Sequence, residues 1–279
     1  MLEHGIPYAL NDRVRRLVAP NPGMMTGPGT NTYLLGKEAI AVLDPGPAIA
    51  EHIEAILKAG DGRIRWIICT HTHPDHSPAW QAVAEATGAE VLGALPADDR
   101  FQDDTFQPTQ ELQHNDLLET ADFRLRAVHT PGHVSNHFCF FLEEEGMLFA
   151  GDHIMKDSTV VIVPPGGDMK AYVESLQLLL DYPLQSIAPG HGDLILEPRA
   201  EVAHLVEHRM ARERKVLAGL QQLGCVDTDA LVKVVYDDVD SSRHEWAKLS
   251  LAAHLIKLLQ EGHVRRDDDQ RWELLTPTT

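Results

Sequence analysis

Residues 71–76 read His-Thr-His-Pro-Asp-His, which puts three imidazoles and a carboxylate into one short stretch directly after the largely apolar run at residues 64–69. Neutral imidazole and carboxylate are the groups that suit zinc and other first-row metals, and a packed core has no use for so many together. With 16 histidines in 279 residues, three clustered beside an aspartate is a pattern chance seldom makes. The cluster predicts a metal site and, through it, a metal-dependent hydrolase. Three later residues could complete such a site. His133 closes the sequence His129-Thr130-Pro131-Gly132-His133, Asp152 follows Gly151, and His191 lies in Ala188-Pro189-Gly190-His191-Gly192. Each stands after a strand-like run and beside glycine, where backbone can come close to a ligand. Singly, each reads as well as an ordinary turn; in series after the cluster, they read as ligands.

The elements that must position these residues show in the hydrophobic spacing. Strands are expected at residues 14–18, 30–35, 39–43, 65–70, 90–92, 123–129, 136–142, 147–149 and 185–188, and helices at 49–59, 79–87 and 169–180. Two sets of strands with helices between them predict an α/β chain in which two sheets pack face to face under helical layers. From residue 199 the character changes. A long amphipathic helix at 199–223, two more helices at 228–236 and 243–261 and a hairpin at 262–275 resemble a winged helix-turn-helix. The expected organisation is a catalytic region, residues 1–198, followed by a helical linker and small winged-helix-like domain, residues 199–279.

Composition limits the function. At 43% apolar, the chain can bury a catalytic core and a small appendage. Residues 1–16 hold scattered charges and no continuous apolar stretch, so neither a signal peptide nor a membrane span is expected. Cys69, Cys139 and Cys225 are too few and too far apart for a disulfide framework, which favours a reducing, cytoplasmic setting. A net charge of -18 opposes a general electrostatic hold on polyanions, because phosphate binding needs cations that displace counterions. A nucleic-acid substrate would need a local basic or metal-charged site. The best basic run is His208, Arg209, Arg212, Arg214 and Lys215, with Glu207 and Glu213 interleaved. The candidate recognition helix offers only Lys248 and Lys257 as strong cations, so sequence-specific DNA reading is not expected.

From the cluster through Gly151-Asp152 to His191, the chain resembles the metallo-beta-lactamase superfamily over nearly all of residues 14–196. The resemblance implies a four-layer αββα sandwich with its site at one edge, here followed by the winged-helix-like domain. It implies two divalent metal ions, zinc in the first place with iron or manganese also open. His71, His73 and His133 would hold one ion, Asp75, His76 and His191 the other, and Asp152 would bridge them. A water between the ions would be the attacking group, with Asp75 also orienting it. Thr72, Thr130 and Asp193 are candidates to fix the imidazoles, and Asn136 and His137 to contact a scissile phosphate or protonate a leaving group. Asn21-Pro22, the run Thr26-Gly27-Pro28-Gly29-Thr30-Asn31-Thr32-Tyr33-Leu34-Leu35 and the stretch from Pro189 to Arg209 look like the lactamase-beta-2-like branch, some of whose members cut single-stranded RNA. The chain departs from that pattern at Pro78, where glycine is more usual, at Val134, where threonine is common, and at Ser135-Asn136, which replace an acidic pair. These changes leave the ligands and bear on substrate choice.

The leading expectation is a binuclear phosphodiesterase or endoribonuclease acting on single-stranded RNA, with a small-molecule ester or phosphodiester as the other substrate form. A thioester hydrolase similar to glyoxalase II shares the same motifs, although a terminal hairpin suits a winged helix better than that family's all-helical domain. A non-catalytic, metal-containing protein that binds nucleic acid or a partner is a third reading. Seven ligand-type residues argue against it, because structural zinc sites are usually closed four-ligand cages rich in Cys. Antibiotic hydrolysis fits poorly with the lack of an export signal, and oxygen reduction at a di-iron centre would need a flavin module whose Gly-rich fingerprint is missing.

Overall fold

The structure, a computed structural model, describes residues 3–275; residues 1–2 and 276–279 at the ends of the two expected regions lie outside it. The chain first builds a sheet from β1 (Tyr8–Ala9), β2 (Val14–Val18), β3 (Asn31–Leu35), β4 (Ile40–Leu43), β5 (Ile64–Ile68), β6 (Glu90–Gly93) and β7 (Gln110–Glu111), paired in chain order. Pairing is antiparallel up to β4 and parallel beyond it, because helices α1 (Ala50–Gly60) and α2 (Trp80–Thr87) make the crossovers. The second sheet has the order β12-β11-β10-β9-β8, formed by β8 (Leu117–Glu119), β9 (Arg124–His129), β10 (Phe138–Leu142), β11 (Met147–Gly151) and β12 (Ser186–Pro189), with α3 (Met169–Leu179) in the β11–β12 crossover.

Residue alternation explains the layering. All four residues of β4 are buried, since Ile40 and Val42 pack beneath the helices with Ile56 and Val83, while Ala41 and Leu43 point the other way. In β10, Phe138, Phe140 and Leu142 meet that inner face, and Cys139 and Phe141 pack under α3 with Tyr172 and Leu176. The result is the expected αββα sandwich. Helix α4 (Pro198–Leu223) then covers the second sheet with Val202 and Leu205 and continues into a separate cluster. There Val216 and Leu220 join α5 (Thr228–Val235), α6 (His244–Gln260) and the β13–β14 hairpin (Val264–Arg266 and Trp272–Leu274) around Leu251, Leu255 and Trp272.

Most expected elements form within a residue or two of their expected limits. Among these small shifts, the one that matters is in the strand expected at 136–142, which starts at Phe138 and leaves Asn136 and His137 in the preceding loop. The short strands β1, β7 and β8 had no hydrophobic run long enough to announce them and form by pairing with their neighbours, Leu118 of β8 also packing on the inter-sheet core.

Phe149 sits between the sheets with no exposed surface, its ring 5.0 Å from that of Tyr33. Phe149→Ala should lower the unfolding free energy by about 3–5 kcal/mol through lost burial and the cavity left behind, as measured by urea titration.

Candidate metal centre

The C-terminal ends of β4, β5, β9, β11 and β12 meet at one edge of the sandwich, and the Phe138 N–H donates to the Thr70 carbonyl at 2.7 Å, tying the two sheets together there. All seven ligand-type residues singled out in the sequence lie at this edge, in two sets. His71, His73, His133 and Asp152 have ligand atoms within 4.8 Å of one another, and so do Asp75, His76, Asp152 and His191. Asp152 belongs to both. Its Oδ1 lies 3.3 Å from His76 Nε2 and 3.3 Å from His191 Nε2, while Oδ2 faces His133 Nε2 at 3.8 Å.

In the first set the ring nitrogens converge on one another. His133 Nδ1 donates to the Val161 carbonyl at 3.0 Å, which leaves Nε2 bare and directed at His73 Nδ1, 3.1 Å away. His71 Nε2 stands 3.0 Å from the same His73 atom. Three ring nitrogens at such spacings match the edges of a tetrahedron around a zinc ion with Zn–N of about 2.0–2.1 Å. In the second set, His76 Nε2, His191 Nε2 and Asp152 Oδ1 are buried without a hydrogen-bond partner. Buried polar atoms left so are costly, and a cation is the species that satisfies an imidazole lone pair and a carboxylate oxygen together. The donor set therefore fits two divalent metal ions.

Asp44, absent from the sequence reading, orients both sets. Its carboxylate accepts from the Thr70 N–H (2.7 Å), the Thr70 hydroxyl (2.8 Å) and His76 Nδ1 (2.9 Å). Because the Thr70 O–H is committed to Asp44, its oxygen accepts from His71 Nδ1 at 3.0 Å. One buried carboxylate thus directs the Nε2 lone pairs of His71 and His76 inward. The available signal was an acid at the end of a buried strand before Pro45-Gly46, the same context that marked Asp152. Gly151 is equally specific: its φ is +46°, and a Cβ there would stand 2.6 Å from Thr70 Oγ1 and 2.7 Å from His137 Nε2.

The expectation that His137 protonates a leaving group is corrected by the structure. The ring is fully buried, its Nε2 accepts from the Asp152 N–H at 3.2 Å, and its Nδ1 donates to Thr130 Oγ1 at 3.0 Å. Burial, with His153 and His133 nearby, holds its pKa well below the ordinary range, and both ring nitrogens are engaged within the protein, away from any substrate. His137 instead holds the backbone of Asp152. Asn136 is likewise engaged in the protein, donating to Thr72 Oγ1 (2.7 Å) and the Leu95 carbonyl (3.0 Å). Of the threonine and aspartate candidates, Thr130 steadies His137, Thr72 steadies Asn136, and Asp193 pairs with Arg16 at 3.1 Å.

Protonation follows the same division. Burial and neighbouring imidazoles keep His71 well below the usual range, and burial with His133 puts His73 at about 4, so both are neutral ligands at neutral pH. Burial opposes charge on His191, but the Asp152 and Asp75 carboxylates overcome it and lift His191 to about 9; His76 is raised for the same reason. Protons there balance the charge that a metal would otherwise balance.

A model of the "Metallo-beta-lactamase superfamily" matches residues 25–191. The chain belongs to that superfamily. Residues 228–272 match a "Beta-lactamase associated winged helix domain". The "Beta-lactamase-like protein 2 homolog" of Drosophila melanogaster is 32% identical over 97% of this chain and 96% of its own length. "Thioesterase pkgB" of Emericella nidulans is 33% identical over 79% of the chain and 62% of that protein. A beta-lactamase domain protein from Burkholderia ambifaria has the same fold, with a TM-score of 0.82 at 21% identity, covering 99% of this chain and 95% of that one. The superfamily and its thioesterase-named members make this chain a metal-dependent hydrolase.

Asp44→Asn should keep the fold and lower metal affinity about 10–100-fold, seen as metal lost on dialysis against a weak chelator. In the metal-free protein, His191 is raised from its unfolded value of 6.5 to about 9. Its contribution to stability is therefore full below about pH 6.5 and lost as pH rises through 9. Urea midpoints of the chelated protein should fall across that window, and those of the metal-loaded protein should not.

Proposed function

We propose that this protein is a two-metal hydrolase of acyl thioesters. The observation that carries the hydrolase reading is the pair of ligand sets sharing Asp152. Two divalent cations so placed would acidify a water and polarise the substrate carbonyl. Zinc suits so imidazole-rich a set, and iron or manganese suits it as well.

Of the carboxylates and imidazoles in the second set, Asp75 has the most exposed side chain, at 25% against 12% for Asp152 and 4% for His191. It thus faces the opening, where its Oδ2 can orient the attacking water and take its proton. The carbonyl carbon gains the water oxygen, the C–S bond breaks, and the thiolate leaves to collect a proton.

The mouth supports an acyl substrate. Met24 and Met25 project from the loop whose Gly29 carbonyl accepts from His191 Nδ1, at 88% and 54% exposure. Leu95 and Phe101 lie on the segment bonded to Asn136 and, through Gln102, to Thr72. These exposed apolar side chains, on loops joined to the site, could meet an apolar acyl chain. The thioesterase name of a relative at 33% identity points the same way.

Single-stranded RNA is the second reading, favoured by the winged-helix domain. Against it, the basic run on α4 is largely occupied within the protein. Arg209 donates to the Val160 carbonyl at 2.6 Å, Arg212 pairs with Asp238 at 2.8 Å and Lys215 with Asp237 at 2.7 Å. Lys248 and Lys257 of the candidate recognition helix are paired with Asp229 and Glu213. Three unpaired cysteines, Cys225 among them exposed, support a reducing, cytoplasmic setting; among the described residues no helix is long and apolar enough to cross a membrane.

The metal-replete protein should hydrolyse long-chain acyl thioesters faster than single-stranded RNA or an aryl phosphodiester. Phe101→Ser with Met25→Ser should raise KM for the long-chain substrate about tenfold or more, from the lost burial of two apolar side chains, with metal content unchanged. RNA cleavage in the absence of thioester cleavage sinks the acyl reading and keeps the two-metal site.

A further inference from the structure

Side chains of metal-ligand type also lie outside the centre, on helix α4, with donor atoms farther apart than in the two sets. Glu201, His204 and His208 are spaced three and four residues apart, so they share one face of the helix. That face forms one wall of a cleft of about 450 Å³, and Asp157, Ser158 and Thr159 form the other. The His204 and His208 rings are 6.4 Å apart between centroids, and His208 Nδ1 is buried with no hydrogen-bond partner. His204 is exposed and free to turn its ring toward its neighbour.

We propose that Glu201, His204 and His208 form an accessory site for a borderline divalent cation such as Zn2+ or Ni2+, with Asp157 available from across the cleft. Two imidazoles one helical turn apart with a carboxylate a further turn back are the donors such ions prefer. Phosphate or another anion is disfavoured, because two carboxylates line the same cleft. His208 is also held below its ordinary pKa, by burial first and then by Arg209 and Arg212, which leaves its ring a neutral donor.

The site bears on the catalytic centre through the loop it touches. Arg209, the residue after His208, clamps that loop by donating to the Val160 carbonyl at 2.6 Å. The next carbonyl, of Val161, accepts from His133 Nδ1 at 3.0 Å. A cation joining Asp157 to α4 would pin a second point of the loop that orients His133. The accessory site is independent of the acyl substrate reading, since its donors belong to neither ligand set.

The test uses protein whose catalytic centre is already loaded with zinc. Titration with Ni2+, followed by calorimetry and native mass spectrometry, should show one further equivalent bound and a rise in thermal midpoint. His204→Ala and Glu201→Gln should each weaken that equivalent about tenfold or more while leaving the zinc content of the centre as it was. Both residues lie toward the surface, so folding is expected to survive either change. Absence of a further equivalent overturns the proposal, and so does equal affinity in the wild type and both variants.

Discussion

A buried carboxylate shared between two clusters of imidazoles is the constraint on which this structure turns. Asp152 is 8% exposed, yet it must be ionised to bind metal, and a buried charge needs an opposite charge beside it. His76 and His191 supply that charge when protonated, and metal ions supply it when bound. Much of the surrounding polar structure serves to hold this carboxylate and the lone pairs around it. Gly151 turns the chain so that Asp152 enters the site, His137 holds its N–H, and Asp44 aims His71 and His76.

The sandwich makes this possible because its strand ends can be polar where its faces cannot. β4 and β10 are buried on both faces, so their side chains are committed to packing. Only the loops beyond the strand ends are free to carry histidines and aspartates, and parallel pairing brings several such ends to one edge. Rigid strands on both sides then hold the ligands to a precision that a long loop could not.

The C-terminal helices add shape more than charge. α4 packs on the second sheet, and its Arg209 reaches the loop behind His133, so the helical region touches the centre through structure. With net charge at -18 and many of the α4 and α6 cations in internal pairs, the helical region offers little free positive charge.

The density of the 71–76 cluster pointed to a metal site from sequence, and His133, Asp152 and His191 joined it only as a series after that cluster and through the family resemblance, since each alone reads as well as an ordinary turn. Hydrophobic alternation likewise marked the longer strands of both sheets, their covering helices and the terminal hairpin, but not β1, β7 or β8. Asp44 escaped notice because its role exists only once β4 pairs with β5 and sets it beside Thr70 and His76. His137 was misread for a related reason: its loop position and two satisfied ring nitrogens depend on Thr130 and Asp152, seven and 15 residues away in the chain. The arginines of α4 read as a free basic run until tertiary packing gave them Val160, Asp238 and Tyr236 as partners. Spacing along the chain records which side chains can do chemistry, whereas the partners that neutralise, orient or occupy them come from distant segments and are decided only by the fold.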